Sequence, residues 1–596
     1  MRHTHLFPFN RVALVAAVAL VLMSGVAVQA AGSDRGVGAE AARAHEHDGT
    51  PVALTLEKIG GTPAGVANDA LGASEINAYD PATKRLFVTN GKLGTVDVLD
   101  LSIPSQPRLA ATLEISDLGS GANSVAVHDG LVALAIEASP KTSPGKVVFY
   151  RADDLTRLAV VPVGAQPDML LFTHDGRRVL VANEGEPNSY GLVDSVDSEG
   201  SISIIEVNRR GRWYEHSSQR GGEHSPRIEP RVRTADFRAF NAQVDTLRAQ
   251  GVRIYGPGAS VAQDLEPEYI ALDPDGRHAY VVLQENNAIA KLDIERARVL
   301  SIRALGLKDH SLPGQGLDPS DEDAGTDTNS GTPLVKIANW PVTGMYLPDG
   351  IAAYKSRGKT YLVTANEGDA RADWPGFNEE DRIRAYCSQG LDPAVFPGAT
   401  GDATDPLLKD SNLGRLRITK SPNGNDNGKN ADGQCNKLWS YGARSFSIWR
   451  ASDMTRVFDS GEGFERITAA LAAETGATFK FNSGHDNDTL DSRSPAKGPE
   501  PEGVTIGKFG DRVFAFIGLE RVGGVMVYDI SEPAEPAFET YINTRAGLSG
   551  DRGPEGLTFV PASQSPNGKP LLIVSNEVSG STAVLQINLS YAPKRD

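Results

Sequence analysis

The 596-residue chain is poor in cysteine, modest in aromatics and short of positive charge. Its two cysteines, Cys387 and Cys435, have no histidine close by in sequence, which argues against a cysteine-rich scaffold and against a Cys/His zinc site. The 59 basic residues are outnumbered by 76 acidic ones, and a formal charge of −17 removes the electrostatic grip that holds nucleic acid or anionic membranes. The apolar run Val12–Met23 has 12 residues, whereas about 20 are needed to cross the ~30 Å of hydrocarbon in a bilayer. There is no Gly-x-Ser-x-Gly elbow, no Gly-x-x-x-x-Gly-Lys loop and no His-Glu-x-x-His helix, so serine-hydrolase, nucleotide-phosphate and zinc-protease chemistry fall away.

What is present first is an address. Arg2 and Arg11 precede the apolar run, and small residues at Val28 and Ala30 precede Ala31, the pattern of a signal peptide over residues 1–30. Residues 31–50 read as a flexible lead into the fold. The expected product is secreted or periplasmic and monomeric, with no membrane span after cleavage, since Tyr591–Asp596 adds no hydrophobic tail. In an oxidising compartment Cys387 and Cys435 are expected to form one disulfide.

Glycine and proline, 62 and 36 residues, divide many short β-rich runs, and a unit recurs. Its clearest copy is Pro267-Glu-Tyr-Ile-Ala-Leu-Asp-Pro-Asp-Gly-Arg-His-Ala-Tyr-Val-Val-Leu-Gln-Glu-Asn286, followed by Ala288–Ile294 and Arg298–Arg303. Asp-Gly and Asn-rich turns between such runs signal a four-stranded antiparallel meander. Equivalent starts fall near residues 75, 123, 168, 268, 349, 502 and 555, which predicts an all-β, seven-bladed β-propeller over residues 51–590. The last unit stops after Thr582–Ile587, and Val52–Ile59 is a strand without a unit, so this N-terminal strand is expected to close the seventh blade and cover its free edge. Long gaps between starts mark loop insertions at 186–262, 305–340 and 371–440, the first with a helix over Ala235–Gln250. The acidic run Asp318–Asp327 departs from calcium-loop spacing and reads as a solvated loop.

In a meander the start of the first strand and the end of the second lie side by side. Those positions pair Glu75 with Asn90, Asn123 with Glu137, Asp168 with Asn183 and Glu184, Glu268 with Glu285, Asp349 with Asn366 and Glu367, Glu502 with Glu520, and Glu555 with Asn576 and Glu577. One such pair is an ordinary turn; seven place a ring of acids at one mouth of the channel. Like charges ~4 Å apart at an effective dielectric near 20 repel by about 4 kcal/mol, which a bound cation relieves. Oxygen-only donors select hard ions, so Ca²⁺ is expected ahead of Mg²⁺ or Mn²⁺, held by Glu75, Asp168, Glu184, Glu268, Glu285, Asp349, Glu367, Glu502, Glu520, Glu555 and Glu577. Arg371, Lys497 and Arg521 lie close to these acids in sequence and are candidates to orient a phosphoryl group beside the metal, with His485 as a general acid.

Longer motifs carry a resemblance. Asp264-Leu-Glu-Pro-Glu-Tyr269, Asn339-Trp-Pro-Val-Thr-Gly-Met-Tyr346 with Pro348-Asp349, Ala365-Asn-Glu-Gly-Asp-Ala-Arg371, Gly442-Ala-Arg-Ser-Phe-Ser-Ile448 and Lys497-Gly-Pro-Glu-Pro-Glu-Gly503 resemble the choice-of-anchor I proteins, over roughly residues 50–590. That bacterial group is similar to the mesenchyme-specific cell-surface glycoproteins of biomineralising animals and is often labelled alkaline phosphatase-like. The resemblance implies a secreted propeller. Two functions are expected from the whole: a metal-dependent phosphoesterase acting on a phosphoester substrate, or a calcium-binding adhesion or mineral-interaction protein without turnover.

Overall fold

Strands form where β-branched and aromatic residues alternate between turn formers, and the repeat copy at 267–304 gives Pro267–Leu272, His278–Leu283, Ala288–Asp293 and Arg298–Ala304, hydrogen-bonded in that order. The computed structural model describes residues 51–65, 71–210, 227–324, 334–372, 374–476 and 479–591; the expected signal peptide and the segment 31–50 lie outside the described residues. Among the described residues seven antiparallel sheets have four strands each. Their innermost strands are Asn77–Asp80, Gly121–His128, Pro167–Phe172, Pro267–Leu272, Ile351–Ser356, Pro501–Phe509 and Pro554–Val560. Each touches the next, and the last touches the first, so the sheets close a ring and the fold is a β-propeller.

Burial holds the ring together at every junction. Phe87 and Val98 pack against Val125 and Leu134, Phe149 against Val181, and Ile204 against Val281, with equivalent apolar layers at the remaining junctions. In the last sheet Ser581–Tyr591 is covered by Pro51–Gly61, with Leu54 opposite Leu589 and Leu56 opposite Ile587. The chain's N-terminal strand therefore closes the sheet begun by its C-terminal strands.

Several expectations about the insertions need correction. The span 186–262 contains Ser201–Arg210 and Arg227–Asp236, the outer strands of the third sheet. The helix expected over Ala235–Gln250 is confined to a 3₁₀ turn, Arg238–Gln243, and Val244–Ala249, because Ala235 is buried in the ladder opposite Ile202. The other two insertions merge into one unit. Leu307–Asp309, Thr343–Met345, Trp439–Ser440, Arg417–Thr419 and Glu380–Arg382 form a five-stranded sheet beside a core of Leu317, Ile383, Leu391, Leu413 and Leu438. Within that core Cys387 and Cys435 are joined as a disulfide, their Cα atoms 5.5 Å apart. Asp318 and Asp323 are buried in this unit rather than solvated.

Candidate metal centre at the channel mouth

Four inner strands open on a proline and then slip register. Pro167 pairs with Asn183, but the next pair is Leu170 with Val181; the same break separates Pro267 from Ile270, Pro501 from Val504 and Pro554 from Leu557. Proline suits the first position of a strand because it owes the ladder no N–H, and the bulge behind it frees a residue to turn its side chain. Asp168, Glu268, Glu502 and Glu555 occupy that first freed position. The ladders place Glu184, Glu520 and Glu577 one residue beyond Asn183, Leu519 and Asn576, the partners of three of these prolines. The glycine after the acid stitches neighbouring sheets: Gly350 N–H donates to Glu502 O and Gly556 N–H to Glu75 O, both at 3.2 Å. A Cβ on Gly350 or Gly556 would lie 2.4 or 2.5 Å from those oxygens, so only glycine admits the contact.

All eleven predicted acids meet in one electrostatic cluster. Glu502 is pushed well above its ordinary value by burial and then by Glu520, Glu555, Glu367 and Asp349. Glu555 is raised by burial and then by Glu577, Glu75, Asp349 and Asp168, and Glu268 by burial and then by Glu285, Asp349, Glu184 and Asp168. Burial, the leading cause throughout, pushes Glu75 and Glu285 up to about 8 and Asp168 and Glu367 up to about 7. One carboxylate oxygen each of Glu268, Glu285, Glu502 and Glu555 is buried without a hydrogen-bond partner. Oxygens of Asp349, Glu367 and Glu502 lie within 4.8 Å of one another, so a single Ca²⁺ with bonds of about 2.3–2.6 Å can touch all three. A cavity of about 40 Å³, lined by residues including Asn123, Asp168, Tyr269, Asp349 and Glu555, adjoins them. At about 10–15 Å³ per water it has room for an ion with a few waters.

The predicted cations divide. Lys497 Nζ sits 3.1 Å from Glu367 Oε1, 3.0 Å from Asp369 Oδ1 and 3.3 Å from Glu500 Oε2. Arg521 Nε bridges Glu500 and Glu520 at 3.1 and 3.2 Å, and His485 Nδ1 lies 3.1 Å from Glu520 Oε1. These three reach the acidic mouth, each already engaged by carboxylate. Arg371 does not reach it as an open phosphate contact. It is 2% exposed, bound to Asp264 at 2.7 Å and Glu266 at 2.9 Å, with its guanidinium 4.6 Å from the centre of the Tyr255 ring.

Two acids escaped the sequence reading. Glu500 is fully buried and takes Arg493 at 2.6 Å besides Lys497 and Arg521; burial works to raise its carboxyl, and the three cations overcome it and hold it well below the usual range. Glu266 pairs with Arg371 at 2.9 Å, but there burial prevails and keeps the carboxyl well above its ordinary value. Both directly precede an inner-strand proline, Pro501 and Pro267, so aligning the repeat one residue further back exposes them.

Residues 75–533 match the choice-of-anchor I domain. Gigasin-3a of Magallana gigas is 31% identical over 194 residues, 30% of this chain and 66% of that protein. The mesenchyme-specific cell surface glycoprotein of Strongylocentrotus purpuratus is 26% identical over 350 residues, 52% of this chain. The match spans 42% of that glycoprotein's length, so less than two thirds of either relative is covered. Among solved structures, Kuenenia stuttgartiensis hydrazine synthase superposes with a TM-score of 0.41 at 12% identity, over 87% of this chain and 96% of that one. With its acids gathered at the inner-strand starts and its matched span covering five of the seven sheets and three strands of a sixth, the chain belongs to the choice-of-anchor I domain family.

Proposed function

We propose that this is an exported, seven-bladed propeller, secreted or periplasmic, that binds Ca²⁺ at one mouth of its channel and acts by cation-dependent binding at a cell surface or in its surrounding matrix. The blade count is supported by the seven four-stranded sheets and the closed ring of their inner strands. The observation that carries the function is the set of buried, unpartnered carboxylate oxygens on Glu268, Glu285, Glu502 and Glu555, the last of which lines a small cavity together with Asp168 and Asp349. Buried acceptors of this kind cost about 1–3 kcal/mol each when left unmade, and a hard cation satisfies several at once. The cell-surface glycoprotein among the relatives supports an extracellular setting.

Binding is favoured over phosphoester turnover by the cations themselves. Lys497 and Arg521 are held by Glu367, Glu500 and Glu520, so a phosphate would have to displace carboxylates to reach them. The test is ion counting by native mass spectrometry on the mature chain, with and without calcium. The Glu502→Gln/Glu520→Gln double variant is expected to carry at least one calcium fewer than wild type and to show a smaller calcium-induced rise in melting temperature. An unchanged ion count refutes the mouth site. Chelator-sensitive hydrolysis of a generic phosphomonoester would restore the phosphoesterase reading.

A further inference from the structure

Away from the channel mouth, we propose that Asp318, Asp323 and Asp491 form a separate calcium site that clamps the inserted unit to the loop delivering Lys497 and Glu500. One carboxylate oxygen from each lies within 4.8 Å of the others, the separation two oxygens have on opposite sides of one Ca²⁺ at about 2.4 Å. The cluster is interior: Asp318 and Asp491 are 0% exposed and Asp323 is 9% exposed. Asp323 Oδ1 accepts the Leu334 N–H at 3.0 Å and Asp491 Oδ1 accepts from Ser494 Oγ. The second oxygen of each, Oδ2, is buried with no hydrogen-bond partner. Asn482, which donates to Ser494 Oγ at 2.8 Å, also keeps a buried, unpartnered amide oxygen.

Among the described residues cationic offset of these charges is slight: Lys336 works to lower Asp323, yet burial keeps that carboxyl above its ordinary value. Among the described residues no Lys, Arg or His forms an ion pair with any of the three; nearby Arg444 is committed to Glu465 at 2.6 Å and Lys336 to the Ser411 carbonyl at 2.7 Å. Burial foremost, then the neighbouring carboxylates, pushes Asp318 up to about 8 and Asp491 up to about 10. All donors are oxygens, which excludes zinc and copper chemistry, and a cage of protein oxygens suits Ca²⁺ better than Mg²⁺, which keeps most of its waters. The location gives the ion a task. Asp318 and Asp323 belong to the inserted unit, whereas Asp491 stands in the loop in which Arg493 grips Glu500 and Lys497 reaches Glu367. Bound calcium ties one to the other.

The experiment uses the mature chain and the isosteric variants Asp323→Asn and Asp491→Asn, with calcium alone as probe. Each is expected to hold one calcium fewer than wild type by native mass spectrometry, while Glu502→Gln/Glu520→Gln keeps this ion, so the two sites are counted apart. Thermal unfolding adds a readout that a purely structural cluster does not produce. In EDTA each variant is expected to melt above wild type, because a repelling carboxylate is gone; in calcium it is expected to melt below, because a ligand is gone. Asp323, at the rim of the cluster, keeps the test alive should Asp491→Asn fail to fold. A wild-type ion count in Asp323→Asn, or a melting shift of the same sign in both media, overturns the site.

Discussion

Glu500 condenses the logic of the mouth at the scale of one residue. Its backbone has a φ of 50°, a left-handed conformation that costs a non-glycine residue about 1–2 kcal/mol. It is kept there because its carboxylate answers Arg493, Lys497 and Arg521 together in the interior. Glu500→Gln removes the charge and keeps the shape, leaving buried Lys497 and half-buried Arg493 and Arg521 undercompensated. The expected loss is about 3–5 kcal/mol of unfolding free energy, read as a drop in urea midpoint at constant slope; a loss near zero means the cations repartition to Glu367 and Glu520. The repeat made Glu268, Glu502 and Glu555 legible in the sequence because a fixed place in each unit is a fixed place on the ring. Glu500 was not legible, since its meaning comes from cations that a loop folds back onto it. Asp318 and Asp323 read as solvated because Asp491, which closes over them, lies far along the chain.

At the scale of elements, strand grammar sufficed where neighbours in sequence are neighbours in a sheet, and failed where they are not. The fourth sheet follows its motif strand for strand. The third hides its outer strands beyond a long excursion, and polar composition concealed that the 305–340 and 371–440 insertions share a core around Leu317, Ile383 and Leu438. Cys387 and Cys435, separated by 48 residues, close most of the second insertion into a loop within that core. A loop of that length restricts the unfolded chain by about 4 kcal/mol in the chain-entropy account. Reduction is therefore expected to loosen the inserted unit first while the seven sheets persist. Hydrogen exchange should show amides near Ile383, Ile418 and Leu438 losing protection in reductant, with those of His278–Leu283 unchanged. Equal loss in both places would mean that the unit and the ring unfold as one cooperative body.

For the whole molecule, ring closure places seven strand starts side by side, and no single sheet experiences the resulting field. Sequence periodicity predicted that gathering; it could not foresee that burial would matter more than the neighbouring charges, which depends on how tightly the inner strands approach. The consequence is a pH dependence whose sign turns on the ion. Glu75 and Glu285 are raised from 4.5 to about 8, and Glu367 from 4.5 and Asp168 from 3.8 to about 7. A carboxyl with a raised folded value binds its proton more tightly when folded. Its contribution is complete below the unfolded value and is lost as pH climbs to the folded one. In chelator, the protein should therefore lose stability steadily from about pH 4 to about pH 8, by as much as ~1.4 kcal/mol per pH unit for each group in mid-titration. Glu500, held low, contributes the opposite slope, losing its stabilisation only as pH falls through the acid range. Calcium at the mouth favours the ionised carboxylates, so with saturating calcium the decline between about pH 5 and about pH 8 should flatten or reverse. Melting temperatures across that range, with EDTA and with calcium, decide the matter: two curves of the same slope would mean that protons, not a metal ion, neutralise the ring.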